Sequence, residues 1–182
     1  PYITLTKDFE ARQVESFAKM ALNGLIFQGL KPIYWSPYNE TAVADSEIVY
    51  FDKTDPTIYV PFKVKDTKGV LEGDESFVIW TTTPWTIPAN NAISLHPDFT
   101  YAVVKTEKGK FIVLETLAAK LMEKFGLADY EIVKRYKGSE LEMITCYHPL
   151  FEERESLIIC GTHVTDEDGT GCVHTAPGHG LD

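Results

Sequence analysis

Cysteine is scarce in this chain and shows no pairing. Cys146, Cys160 and Cys172 are its three cysteines, and no Cys-x-x-Cys spacing occurs among them. An odd, scattered set supports neither a disulfide framework nor a zinc knuckle, so reduced, buried thiols are expected. Positive charge is also short: 17 Lys and Arg stand against 27 Asp and Glu, a net charge of −10. That balance argues against independent tight binding to phosphate backbones, whose affinity comes from a basic surface. Any nucleic-acid substrate must be held largely by something else. No apolar run approaches the ~20 residues of a membrane helix, and the amino terminus lacks the charged-then-apolar signal pattern. A cytoplasmic chain without a membrane partner is the expectation.

Several chemistries lack their motifs. There is no Gly-x-x-x-x-Gly-Lys-Ser/Thr loop and no Gly-x-Gly-x-x-Gly following a strand, so no phosphate cradle is indicated. No Gly-x-Ser-x-Gly elbow is present, and no feature marks an activated thiol. Internal repeats, low-complexity tracts and long linkers are missing as well. What is present is a chain of 182 residues, 44% hydrophobic and 24% charged, enough for one globular domain with a substantial core.

Residues Asp8 to Asn23 read as the clearest helix. Val14, Phe17, Ala18, Ala21, Leu22 and Leu25 follow the spacing of one face, with Thr6 or Asp8 as cap and Gly24 as terminator. After Gly29 the pattern turns extended, at Lys31–Trp35, Ile48–Phe51, Thr57–Lys65 and Ser76–Thr81. Strands are predicted at Tyr101–Thr106 and Lys110–Leu114 around a turn at Lys108 and Gly109, then a helix from Glu115 to Phe125 ended by Gly126. Tyr130–Tyr136, Glu140–Cys146, Leu157–Cys160 and Gly171–Thr175 read as extended. Many short strands with two helices predict an α+β, mainly β fold: a curled sheet or β-barrel core with peripheral helices. Residues 1–29 are expected to form a helical arm and residues 30–182 the β-barrel-like domain.

Two segments carry the functional signal. The first, Trp80-Thr-Thr-Thr-Pro-Trp-Thr-Ile-Pro-Ala-Asn90, sets four threonines, two prolines and two tryptophans in eleven positions. Its prolines remove backbone donors, so it reads as an extended, stiffened wall whose hydroxyls at Thr81, Thr82, Thr83 and Thr86 bind a polar group or orient water. An isolated triple threonine is more often plain strand propensity. Asn90 offers a donor and an acceptor, and is equally an ordinary turn residue. The second segment, Gly169-Thr-Gly-Cys-Val-His-Thr-Ala-Pro-Gly-His-Gly180, places His174 in a short apolar strand and His179 beyond a Pro-Gly turn. A lone strand histidine is more often core than catalyst. His174, His179 and Asp182 match no standard zinc spacing, so no metal is expected.

Taken together, the two segments closely resemble the signature blocks of the editing domain of isoleucyl-tRNA synthetases, an insertion within the catalytic domain of those ligases. Lys31-Pro-Ile-Tyr-Trp-Ser-Pro37 and Thr41-Ala-Val-Ala-Asp-Ser-Glu-Ile-Val-Tyr50 extend a weaker resemblance over nearly the whole chain. Valyl and leucyl relatives typically continue with Thr-Arg-Pro instead. The ATP-site motifs His-Ile-Gly-His and Lys-Met-Ser-Lys-Ser are missing, so ATP chemistry would belong to the full-length enzyme.

The resemblance implies hydrolysis of valine from misacylated isoleucine tRNA, with valyl-adenylate as a further substrate, and no cofactor. Its partners would be the 3′ end of that tRNA and the remainder of the synthetase in cis, with the protein a monomer. The need for a second sieve is physical: one methylene in a pocket discriminates by only roughly 1–3 kcal/mol, a limit for which the isoleucyl enzyme is itself the standard worked case. By resemblance Thr82, Thr83 and Asn90 would be catalytic. Thr81, Trp85, Thr86, His174, His179 and Asp182 would bind substrate, His174 obstructing isoleucine by bulk. The family pattern continues from Asp182 to a second aspartate that meets the substrate ammonium, so this chain alone is expected to hydrolyse weakly or not at all. Alternatives are threonine removal from valine tRNA by a related synthetase and a non-catalytic module for the tRNA end.

Overall fold

The computed structural model describes residues 2–30 and 33–179. Its internal contacts divide between two compact units, residues 1–53 and 54–182.

In the first unit, α1 (Lys7–Leu22) begins where the Thr6 hydroxyl accepts the Phe9 N–H. Asp8 and Glu10 in its first turn and Lys19 in its last complement the helix dipole. Gly24, at φ 72°, ends it. The predicted helix is there, yet none of its residues is buried, and Val14, Phe17 and Met20 lie exposed. A two-residue ladder joins β1 (Trp35–Ser36) to β2 (Thr41–Ala42). The predicted strand at Lys31–Trp35 begins outside the described residues, and Ile48–Phe51 forms no regular element.

The second unit is built on one sheet. Its strands are β3 (Ile58–Asp66), β4 (Glu75–Thr81), β5 (Ala92–Leu95), β6 (Thr100–Thr106), β7 (Gly109–Leu114), β8 (Tyr130–Lys137), β9 (Thr145–Tyr147), β10 (Glu155–Cys160) and β11 (Val173–Thr175). They run in the order β11-β5-β10-β9-β3-β4-β7-β6-β8. Pairs β4–β7 and β5–β10 are parallel and the others antiparallel. The mainly β expectation is met by an open sheet: β11 and β8 are its two ends, and no closed barrel forms among the described residues.

Sequence explains much of this. Pro61 is tolerated inside β3 because β9 pairs with that strand only from Val64, leaving Pro61 an open edge opposite its partner Val78. The β6–β7 hairpin turns at Gly109, φ 126°. Phe62, Phe77, Ile79, Ile93, Leu95, Ile112 and Ile158 are fully buried at the centre. Helix α2 (Glu115–Lys124) buries Leu117, Ala118, Leu121 and Met122.

Two local readings differ. Ala92–Leu95 is a strand outside those the sequence predicts, being only four residues between asparagines and His96-Pro97. Conversely, of the segment Glu140–Cys146 only Thr145 and Cys146 pair, in β9. Gly138 opens a 3₁₀ turn there so close to the His96 carbonyl that a Cβ would stand 2.1 Å from it, and Met143 takes φ 69°. Among the described residues no helix is long and apolar enough to cross a membrane.

Candidate functional site

Strand β4 ends at Thr81, and the chain then winds into a 3₁₀ turn, Pro84–Ala89, in place of the extended wall expected. Pro84 enters at the first turn position, where its fixed φ fits and its missing N–H is not needed. The Thr86 N–H then donates to the Thr83 carbonyl at 3.0 Å, and the Asn90 N–H to Ile87 at 2.9 Å. Thr81 Oγ1 accepts the Thr83 N–H at 3.0 Å and lies 3.2 Å from Thr83 Oγ1.

So tight a turn leaves carbonyls to be satisfied from elsewhere. His148 Nε2 donates to the Ile87 carbonyl at 2.9 Å, and its Nδ1 accepts the N–H groups of Leu150 and Phe151. Burial holds the His148 pKa below the ordinary histidine value. Arg154 donates to the carbonyls of Pro88 and Asn90. Neither residue carries a local sequence signal. The only hint was the excess of unpaired carbonyls that a proline-rich turn implies.

The glycine pair explains the other half. Gly169 and Gly171 adopt φ 77° and 74°, and a Cβ at Gly171 would lie 2.4 Å from Leu114 Cβ. Between them buried Thr170 accepts the Leu114 N–H at 2.8 Å, and the Tyr101 hydroxyl donates to the Gly171 carbonyl at 2.7 Å. These ties deliver β11 alongside β5, with His174 opposite Ile93.

His174 meets the 3₁₀ turn there. Its Nε2 lies 2.9 Å from Thr86 Oγ1 and its Nδ1 2.7 Å from Asn90 Nδ2. Thr86 Oγ1 donates to the Thr83 carbonyl at 2.8 Å, and the Asn90 amide donates to the Ala92 carbonyl at 2.9 Å. Burial, then the nearby His148 and His179, lowers the His174 pKa from its ordinary value.

A cavity of about 370 Å³ opens beside this cluster. Thr81, Thr83, Thr86, His174 and His179 line it, as do Trp80, His163, Thr165 and Asp168. Of the other residues singled out from sequence, Thr82 and Trp85 are exposed and outside the lining, while Asn90 is fully buried and meets His174 instead of the cavity. Asp182 lies outside the described residues. Cys172 also lines the cavity, but burial pushes its thiol pKa up, opposite to what a nucleophile needs. The wall is therefore rich in hydroxyls and imidazole. Such a wall can bind a polar ester and orient water. Elsewhere Glu72, Asp74 and Glu75 cluster, with Lys110 paired to the first two and Lys134 to Glu72.

A profile of the family described as class I tRNA synthetases (I, L, M and V) matches residues 1–145. Isoleucine–tRNA ligases of Geobacillus thermodenitrificans and Geobacillus kaustophilus are each 56% identical over 182 residues, covering 100% of this chain and 20% of the relative. The chain thus spans about a fifth of the length of these curated relatives. Among solved structures, the editing domain of P. knowlesi cytosolic leucyl-tRNA synthetase superposes with a TM-score of 0.56 at 17% identity, over 69% of this chain and 60% of that one. That likeness concerns the fold.

Proposed function

Because the chain belongs to the class I tRNA synthetases, we propose that it is an editing segment that hydrolyses valine wrongly esterified to isoleucine tRNA. One observation carries the reading: His174 borders the cavity with both ring nitrogens engaged by Thr86 and Asn90. A ring so occupied offers the acyl group bulk more than acid-base chemistry. It suits a sieve that admits valine and collides with isoleucine's extra methylene.

The hydroxyl inventory supports a water held at Thr83. The Thr86 hydroxyl is spent on the Thr83 carbonyl and on His174. Thr81 Oγ1 already accepts the Thr83 N–H. Thr83 Oγ1, engaged among the described residues only with Thr81 and lining the cavity, retains capacity to hold a water. The water oxygen attacks the ester carbonyl carbon, the bond to the ribose oxygen breaks, and the water's proton ends on that oxygen. An aminoacyl ester is already activated, so orientation and stabilisation of the developing oxyanion supply the main acceleration.

With a net charge of −10, this chain leaves most of the tRNA grip to the rest of such an enzyme. The test is deacylation of valyl- and isoleucyl-tRNA by the full-length synthetase and by the chain alone. Selective valyl release supports the reading. Threonyl-only release points to a related editing specificity, and binding without turnover to a non-catalytic module.

A further inference from the structure

We infer that Asn90 is a positioning residue that fixes His174 as its neutral Nε2–H tautomer, so that the sieve measures size with an uncharged, immobile ring. The inference rests on the hydrolytic reading above. Asn90 is 0% exposed and does not line the cavity, so it acts through its neighbour.

The orientation of its amide follows from Ala92, whose carbonyl only accepts and lies 2.9 Å from Nδ2. A flipped amide would set two acceptors against each other. The second hydrogen of Nδ2 then points to His174 Nδ1 at 2.7 Å, which must present a lone pair. The ring proton therefore sits on Nε2 and is given to Thr86 Oγ1, whose own hydrogen goes to the Thr83 carbonyl. Every donor points the same way, from Asn90 through His174 and Thr86 to Thr83.

A second ring proton would set an N–H on Nδ1 against the amide N–H. Two donors would then face each other across 2.7 Å beside a fully buried side chain. Among the described residues the other titratable groups near the ring are His148 and His179, with His163, Asp168 and Cys172 on the cavity wall. Asn90 Oδ1 is buried and has no hydrogen-bond partner among the described residues. An acceptor left unpaired is an unusual cost, and here it accompanies an amide turned to give both hydrogens away. The benefit is chemical: an imidazolium would repel the substrate's own ammonium and bind the ester carbonyl, blurring discrimination by size.

The experiment reads the His174 ring directly by long-range ¹H–¹⁵N correlation in the labelled chain, across the histidine titration range. The wild-type ring should show a proton-free Nδ1 and a protonated Nε2. Asn90→Ala should show both tautomers and a higher titration midpoint, and Asn90→Asp a protonated Nδ1. His148, held by Ile87, Leu150 and Phe151, is the reference for folding in the same spectrum. In the full-length synthetase, Asn90→Ala should narrow the preference for valyl over isoleucyl release by about tenfold.

A protonated Nδ1 in the wild-type ring overturns the proposal and needs no variant. A single unchanged tautomer in Asn90→Ala, or an unchanged preference despite mixed tautomers, overturns it too. If the wild-type enzyme releases neither amino acid, the hydrolytic reading fails, while the spectrum still judges the tautomer.

Discussion

Arg154 donates to the backbone carbonyl of Asn90 at 2.9 Å, so a residue outside the cavity holds the main chain of the residue that holds His174. The same guanidinium reaches the Pro88 carbonyl and, at 3.1 Å, Oδ1 of Asn91. Its planar fork spans three acceptors that the tight turn leaves open, a geometry that lysine's single ammonium does not reproduce.

Arg154→Ala is therefore expected to cost about 1–3 kcal/mol, discounted for the partial exposure of Arg154. Thermal unfolding should show a fall of about 2–4 °C for each kcal/mol in a chain of this length. Valyl-tRNA release should fall with it, and Arg154→Lys should restore little of either. Full restoration by lysine would mean that charge alone matters.

Adjacent threonines should behave unequally. Thr83 lines the cavity, whereas Thr82 is exposed and outside the lining. If Thr83 holds the water, Thr83→Val should lower valyl-tRNA release by about 10²–10³-fold, the loss typical of one preorganised group at a reacting centre. Thr82→Val should stay within about threefold, since it removes no wall group. Single-turnover deacylation by the full-length synthetase separates the two, and the reverse order would move the water to Thr82.

The elements that were legible in sequence are those whose signals are local. The short apolar runs of β6 and β7, the turn at Gly109 and the Gly126 terminator of α2 need nothing beyond their neighbours. The two glycines of Gly169-Thr-Gly171 are accounted for only by the fold, where both take positive φ. The winding of Pro84–Ala89 was not legible, because proline suits an extended wall and the first turn of a 3₁₀ helix equally. The position of Asn90 behind His174 depends on a contact across 84 residues. His148 and Arg154 matter only because that turn's carbonyls face them, a relationship that exists only in the folded chain.

Two of the left-handed glycines near the site, Gly171 and Gly178, offer a matched comparison. At Gly171, φ is 74° and a Cβ would sit 2.4 Å from Leu114 Cβ, while at Gly178, φ is 86° with none of the described residues within 4 Å. Gly178→Ala should cost only the backbone penalty, about 1–2 kcal/mol. Gly171→Ala adds a clash with a strand residue and should cost roughly 3 kcal/mol or more. Urea unfolding of both variants checks the difference, and equal costs would show that Leu114 yields freely.

Acid should destabilise the protein in two separate windows. His148 and His174 have pKa values lowered from the ordinary 6.5, with burial the largest cause in each. Between that value and their folded ones the unfolded chain binds more protons, so stability rises with pH there. Their contribution is fully present above the ordinary histidine value and is lost as pH falls through the folded values. Glu72 is held at about 2 against an ordinary 4.5, first by its hydrogen bonds to Lys110 and Lys134. Its contribution is present above 4.5 and disappears only as pH falls towards 2. Salt distinguishes the windows, because the Glu72 cluster is half-exposed and screened whereas a burial penalty is not. Urea unfolding along a pH series, at low and high ionic strength, should show the upper decline unchanged by salt and the lower one weakened. An upper decline that disappears in salt would mean that charge repulsion, and not the burial of two neutral rings, sets it.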